Sequence, residues 1–329
     1  MTIHIDGFEQ FGGETDPSEA IGRANYNAAG RWAIVAGRGA VGNVAISGQT
    51  TVLTRVVDWN GGKFAVGFAH QFDRRGSVAW LKIGQKQIVL WLNPDTGSPS
   101  INDNAGNAIP TTNRWYYYEL EIDRALGRVY LYINNRLDST YDLGYTPIEQ
   151  EVIVNLGYLR PMFYRPDVTP EPIDNAVKTY DDLYINDGPR VGPITVTTRF
   201  PTNDNNVQWF AADAGKSHSE SLSMHPPNPL DNYVASNTIG DEDRFTSNKP
   251  LNNANAIIAT GIVVMARRSP EFMGQLGVFL GGRPGADLRQ DVRIVPSVWV
   301  TQYVCFDRNI NDTVGGMTAA DFGINVSPL

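Results

Sequence analysis

One cysteine, Cys305, stands among 329 residues, so no internal disulfide can form and the staples usual in secreted lectins are absent. It lies in the apolar run Val298–Phe306, where the expected role is that of a small buried strand residue. A nucleophile is not expected there, because no base lies nearby in sequence. No run approaches the ~18 to 20 apolar residues needed to cross a bilayer, so no membrane insertion is expected. The opening residues Met1–Phe8 lack the basic leader and apolar core of an export signal, which predicts folding in a cytoplasm. Positive charge is also short: 27 Lys and Arg against 35 Asp and Glu give a net charge of -8. That balance argues against a nucleic-acid partner, which needs a basic stripe. No repeat of fixed period and no heptads are present.

What is abundant points to strands and turns. There are 32 Gly and 20 Pro, with plentiful Asn, Thr, Val and Tyr, a mixture that favours short strands over helices. The length is enough for about two domains. Between Arg114 and Tyr141, Trp115, Tyr117, Leu120 and Ile122 alternate with polar neighbours, as do Val129, Leu131 and Ile133. Each strand is thus expected to bury one face and show the other to water. The turns between these strands are placed at Asp123–Gly127 and Asn134-Asn135. A further hairpin is expected from Thr50–Trp59 and Phe64–Phe72 across Asn60-Gly61-Gly62, followed by a meander of Val78–Ile83 and Ile88–Leu92. Asn93–Asn113 reads as a loop or elaborated hairpin.

Prolines 161, 166, 170 and 172 make residues 160–176 a surface excursion, and Asn186–Pro193 reads as an inter-domain junction. Beyond it, strands are expected at Ile194–Phe200, Val207–Phe210, Ala256–Arg267, Ser297–Asp307 and Gly323–Val326, with a helical turn at Thr318–Phe322. Residues 217–255 are poor in apolar side chains and are expected to need a partner surface.

The opening Phe8–Gly13 and Ala28–Ala33, the hairpins of 114–141 and the late strand Tyr180-Asp-Asp-Leu-Tyr-Ile185 together resemble a laminin-G-like or concanavalin-A-like jelly-roll sandwich over residues 1 to 188. The second half carries another resemblance, through Ile194–Phe200, Val207–Trp209, Ala214–His218, Pro226-Pro227, Asp231–Ser236, Gly240–Phe245 and the strand from Trp299. It is similar to virion structural proteins of tailed bacteriophages. The expected fold class is therefore all-β, a jelly-roll sandwich (1–188) followed by a smaller, virion-assembly β-sandwich (189–329). The resemblance implies a non-enzymatic part of a capsid, tail, fibre or spike, made in host cytoplasm, with other virion proteins as partners. By analogy it also implies a homo-oligomer, here a trimer.

Glu119, Glu121 and Asp123 share one strand face at ~7 Å intervals. This resembles the acid and nucleophile of β-glucanases, and makes a glycoside hydrolase one alternative function. The order Glu, Glu, Asp departs from the Glu-x-Asp-x-Glu of those enzymes. A solvated, salt-bridged face opposite Arg128 and Arg136 is the expectation instead. His218 and His225, with Asp213, Asp241, Asp243 and Ser217, Ser219 or Ser221, are read as a polar loop, since no ligand or triad spacing is present. No cofactor is expected. The alternative is Ca²⁺ on Asp181-Asp182 or Asn102–Gly106. Trp115 and Tyr116 to Tyr118 are assigned mainly to the core. A second alternative function is a glycan-binding, lectin-like adhesin, with Trp59, Trp80, Trp91, Asn102 and Asp103 as ligand-binding residues. Assembly contacts are expected at Pro161, Phe163, Tyr164, Pro166, Pro226, Pro227 and Tyr233, in segments that cannot bury themselves.

Overall fold

The computed structural model describes residues 2–12, 17, 21–22, 24, 26–38, 44–157, 176–223, 230–248, 257–281, 287–292, 294–306 and 321–328. The chain divides into two compact units, Met1–Val196 and Thr197–Leu329. Both are built from antiparallel strands, in agreement with the expected all-β sandwich class.

The first unit contains β1 (Thr2–Asp6), β2 (Asn27–Ala36), β3 (Val44–Asp58), β4 (Lys63–Phe72), β5 (Ser77–Ile83), β6 (Lys86–Leu92), β7 (Pro99–Ile101), β8 (Asn104–Ala105), β9 (Tyr116–Asp123), β10 (Arg128–Ile133), β11 (Arg136–Asp142), β12 (Glu151–Gly157) and β13 (Lys178–Asn186). They pair in the order β11-β10-β9-β4-β13-β3-β12-β5-β6-β7-β8, with β1 on β13 and β2 on β3. Strand β3 changes partner along its length, pairing β13 through Ile46–Gly48 and β12 through Val52–Asp58. That change carries the ladder from one layer of the sandwich into the other. Gly157, at φ 110°, lies beside the point of change, and a Cβ there would fall 2.1 Å from the Thr51 carbonyl oxygen. Phe64, Phe68, Phe72, Tyr118, Leu120, Ile122, Leu81, Ile88, Leu90 and Tyr180 are among the fully buried core residues.

Several local expectations hold. The chain reverses between β9 and β10 across Arg124–Gly127. Asn134 and Asn135 adopt φ of 48° and 69°, the left-handed pair that a two-residue hairpin turn demands. The expected hairpin across Asn60-Gly61-Gly62 is not found. Strands β3 and β4 do not pair, because the wholly buried β13 separates them. The turn is tied instead to Asp187, whose carboxylate accepts from Asn60 and Gly61 N–H. The one-sided burial expected for β9 is also corrected. Tyr117 through Ile122 are all buried, because Tyr118, Leu120 and Ile122 face the main core while Tyr117 enters a second cluster with Ala65, Ala69 and Tyr184, against which Val191 and Ile194 pack.

The second unit contains β14 (Asn203–Asn206), β15 (Phe210–Ala211), β16 (Val234–Ala235), β17 (Glu242–Thr246), β18 (Thr260–Ala266), β19 (Gly274–Leu280), β20 (Leu288–Val292), β21 (Val300–Phe306) and β22 (Phe322–Pro328). A five-stranded sheet, β14-β17-β22-β19-β20, and the β18-β21 ribbon share one core of Phe245, Leu276, Val278, Leu280, Val292, Val304, Phe306 and Ile324. The expected buried strand at 256–267 is shorter and only half-buried, because Ile262 and Val264 pack against the shared core while Gly261 and Val263 on the other face are exposed. Cys305 is likewise half-buried. Ile194–Phe200 forms no strand. Its Val196 N–H donates to the Asp182 carboxylate and its Ile194 carbonyl accepts from Arg38. Within 217–255, expected to need a partner surface, the described residues form the short helix His218–Leu222, β16 and β17.

Gly157→Ala should lower stability by about 2 kcal/mol or more, since it meets a strained φ and an unyielding backbone together. Urea unfolding of the variant with an unchanged slope is the measurement that checks this.

Candidate functional site

The carboxylates of β9 are where the sequence suggests chemistry, and the structure gives each of them another task. Glu119 is fully buried and Glu121 nearly so, which corrects the solvated face expected opposite Arg128 and Arg136. Glu119 Oε1 accepts from Tyr184 OH at 2.6 Å and Gly192 N at 2.9 Å, and its Oε2 from Arg190 Nη1 at 2.9 Å. Glu121 accepts from Lys63 Nζ at 2.9 Å and Arg190 N at 2.8 Å. Gly67, opposite Glu119 on β4, makes room for this arrangement: a Cβ there would lie 2.2 Å from the Tyr184 ring. The Arg190 guanidinium also stacks 3.8 Å above Tyr132. Residues 190–196 thus form a strap fastened across the outer face of β9.

The far end of the strap is held by the Asp181-Asp182 pair. Asp182, at φ 51° in a bulge of β13, accepts from Val196 N at 2.7 Å and from Arg38 Nε at 2.8 Å. Asp181 accepts from Arg38 N at 2.7 Å and Asp182 N at 2.8 Å. The oxygens considered for Ca²⁺ at this pair are therefore committed to Arg38 and to backbone N–H groups. Burial and the neighbouring Asp182 charge push the Asp181 carboxyl from its ordinary 3.8 up to about 7, and burial raises Asp182 as well.

Among the residues expected to bind ligand, Trp59 is fully buried. Its Nε1 donates to the Lys63 carbonyl, and Arg124 covers its ring at 3.9 Å. It is a core residue and cannot stack on a sugar. Trp80 and Trp91 are half-buried on one face of the β5-β6 pair, since Trp80 lies opposite Val89, two residues from Trp91. Asn102, at φ 52°, spends its side chain on the hairpin, accepting from Val89 N and donating to the Gln87 carbonyl. Of the assembly contacts, Tyr233 is half-buried, while Pro161, Phe163, Tyr164, Pro166, Pro226 and Pro227 lie outside the described residues.

Asp103, among the residues expected to bind ligand, lies at a site whose β11 side was not expected. Strands β8 and β11 end the path of paired strands and meet at a seam joined by side chains: Asn104 Nδ2 donates to the Thr140 carbonyl at 2.9 Å and Asn107 Nδ2 to the Asp138 carbonyl at 3.0 Å. A polar pocket of about 570 Å³ opens there, lined by Asp103, Asn104, Ala105, Asn107, Leu137, Asp138, Ser139 and Thr140. Asp138 is the extra residue of a bulge, because Leu131 lies opposite Ser139 and Tyr132 opposite Leu137. Its Oδ1 accepts from Asn107 N at 2.9 Å and Ala108 N at 2.6 Å, whereas Oδ2 and the Ser139 hydroxyl are buried without a hydrogen-bond partner. The broken alternation in Leu137-Asp138-Ser139-Thr140 was the available signal.

In the second unit His218 and Asp243 do meet, Nδ1 to Oδ2 at 2.6 Å, with Asp243 Oδ1 accepting from Gln208 and Trp209 N–H. The polar-loop reading is corrected to this extent. Ser217 caps the helix that His218 begins, and Ser221 donates to the Ser217 carbonyl, so these hydroxyls serve the helix. Asp213 lies 3.6 Å from Lys216, Asp241 accepts from Ser236, and His225 lies outside the described residues. No group of three or more His, Cys, Asp or Glu suited to a metal occurs among the described residues.

No family model and no curated protein matches the chain. Solved structures similar to it include a sialidase, at 12% identity over 56% of this chain and 18% of that one with a TM-score of 0.39. The chain spans less than a fifth of that protein's length. Others are an alginate lyase from Corynebacterium sp., at 11% over 44% and 76% with a TM-score of 0.32, and lectin I from Ulex europaeus, at 8% over 49% and 91% with a TM-score of 0.34. The reading of the site rests on none of them.

Glu119→Gln leaves the Arg190 charge partly buried and unpaired, and should cost about 3 kcal/mol in denaturant unfolding. Stability should also depend on Asp181. The folded chain holds this proton up to about pH 7 and the unfolded chain only to its ordinary 3.8. The resulting contribution is complete below the lower value and is lost as pH rises through the higher one. Asp181→Asn should flatten the fall in melting temperature across that window.

Proposed function

We propose that the first unit is a non-catalytic glycan-binding module and that the seam pocket is its ligand site. The observation that carries this reading is the open seam pocket itself, where Asp103, Asn104, Asn107 and Thr140 are exposed and set carboxylate, amide and hydroxyl groups beside the apolar edge of Leu137. Sugars present closely spaced hydroxyls that both donate and accept, matching Asp103 as an acceptor and Asn104 and Asn107 as two-way partners. A binding role also agrees with β9, whose two glutamates are saturated by the strap and by Lys63. Hydrolysis through Glu119 and Glu121 would need both freed.

A second reading, a structural component of a tailed-phage virion, follows from the resemblance of the C-terminal half. It is favoured by large apolar side chains exposed on the second unit, among them Phe210, Leu230, Ile239, Met273 and Val298. Such residues suit subunit contacts with virion proteins or with copies of the chain. The two readings are compatible, since the first unit would meet host glycan while the second assembles.

The full chain on an array of diverse glycans should bind a defined subset, and light scattering should give a multiple of the 36.2 kDa chain mass. An array with no binding removes the first reading; a monomer at all concentrations removes the homo-oligomer from the second.

A further inference from the structure

Resting on the subunit-contact reading above, we infer that β18 is a self-complementary edge through which two copies of the chain pair antiparallel, about a two-fold axis at Val263. The edges of the second unit differ in how they are protected. Strands β14 and β20 end the five-stranded sheet. Both are short and carry charge, Asp204 in the one and Arg289 and Asp291 in the other, which discourages a further strand from adding. Strand β18 has seven residues, Thr260 to Ala266, with no charge and no proline. It pairs with β21 on one side alone, and among the described residues its backbone makes no other hydrogen bond. Every second residue of an antiparallel strand points its N–H and C=O away from its neighbour. The open side of β18 is therefore a row of unspent donors and acceptors along an apolar edge.

Only an extended segment satisfies such a row, and a second β18 is one that the molecule itself supplies. With the axis at Val263, the midpoint of the strand, Thr260 of one copy lies opposite Ala266 of the other, Gly261 opposite Met265 and Ile262 opposite Val264. The whole edge is then paired, and no charged side chain of the strand enters the contact. Residues opposite one another in an antiparallel pair share a face. Ile262 and Val264, packed on the core of each copy, thus stay on one side of the joined sheet, and the exposed Gly261 and Val263 on the other. Charge also selects the direction. Arg267 and Arg268 follow the strand; a parallel pairing would set each against its own counterpart, whereas the antiparallel one sends them to opposite ends, beside the uncharged Ile258 and Ala259. A net charge of -8 makes two copies repel in general, which favours contact at an edge without acids. A patch that pairs with itself closes at two chains, in contrast to the trimer implied by the resemblance to phage proteins.

Sedimentation equilibrium of the full chain should give twice the 36.2 kDa chain mass as concentration rises. Val263 is exposed, so a charge there spares the core. Val263→Lys and Val263→Asp should each keep the circular dichroism spectrum, set like charges across the axis and raise the dimer Kd by roughly tenfold or more. An equimolar mixture of the two should dimerise again. Should either variant fail to fold, hydrogen exchange of the unaltered chain decides: β18 amides should gain protection as the dimer forms, and those of β14 and β20 should not. A mass of three chains, an oligomer undisturbed in either folded variant, a mixture that stays monomeric, or an oligomer that forms without added protection of β18 overturns the inference and leaves self-association through another surface. A one-chain mass at every concentration removes the homo-oligomer itself, and the inference with it.

Discussion

A carboxylate taken out of water must be given donors for its oxygens, and the first unit is organised around meeting that demand on β9 and β13. Glu119, Glu121 and Asp182 would be prohibitively costly where they lie if they faced only Ala65, Ala69 and the Tyr117 and Tyr184 rings. The donors come from Arg190, Gly192 and Val196 backbone N–H groups and from the Arg38, Lys63 and Arg190 side chains. The bonds from Arg190, Gly192 and Val196 each fix another part of the strap, and the strap in turn covers Tyr117 and Tyr184. The apolar and ionic parts are mutually dependent, since removing the strap would expose the rings and leave the charges bare.

This dependence explains why the boundary between the units falls after Val196, beyond the proline- and glycine-marked junction expected at 186–193. Arg190–Val196 has the composition of a linker, but its hydrogen bonds belong to the sandwich. The same economy separates the two kinds of buried acid. Glu119 has three donors within 2.9 Å, spread over both of its oxygens. Asp138 has two donors on one oxygen and none on the other. Both are acids taken out of water, and they differ in how many donors the fold brings to them.

Much of the architecture could be read from local pattern. The Asn134-Asn135 turn, the hairpins on either side of β10 and the strand at 178–186 follow from side-chain alternation and from turn residues that tolerate positive φ. What failed were inferences about which surfaces meet. The alternation of β9 says that its two faces differ, yet both are buried, because the strap arrives from 70 residues away. Trp59 looked available for stacking beside Asn60, but Arg124 and the Lys63 carbonyl enclose it. Asn102 and Asp103 are neighbours in a turn, and only the geometry of the hairpin sends one inward to Val89 and the other into the pocket.

The amino-acid order on its own determined an all-β chain without disulfides and its principal turns, since these depend on composition, period-two alternation and backbone preferences within a few residues. Tertiary structure alone decided that β13 separates β3 from β4, that the β9 glutamates serve as clamps, and that a bulge of β11 carries Asp138 to the backbone of Asn107 and Ala108. Those outcomes depend on donors and covering surfaces contributed by distant segments, and no local pattern records how many partners a buried carboxylate will find.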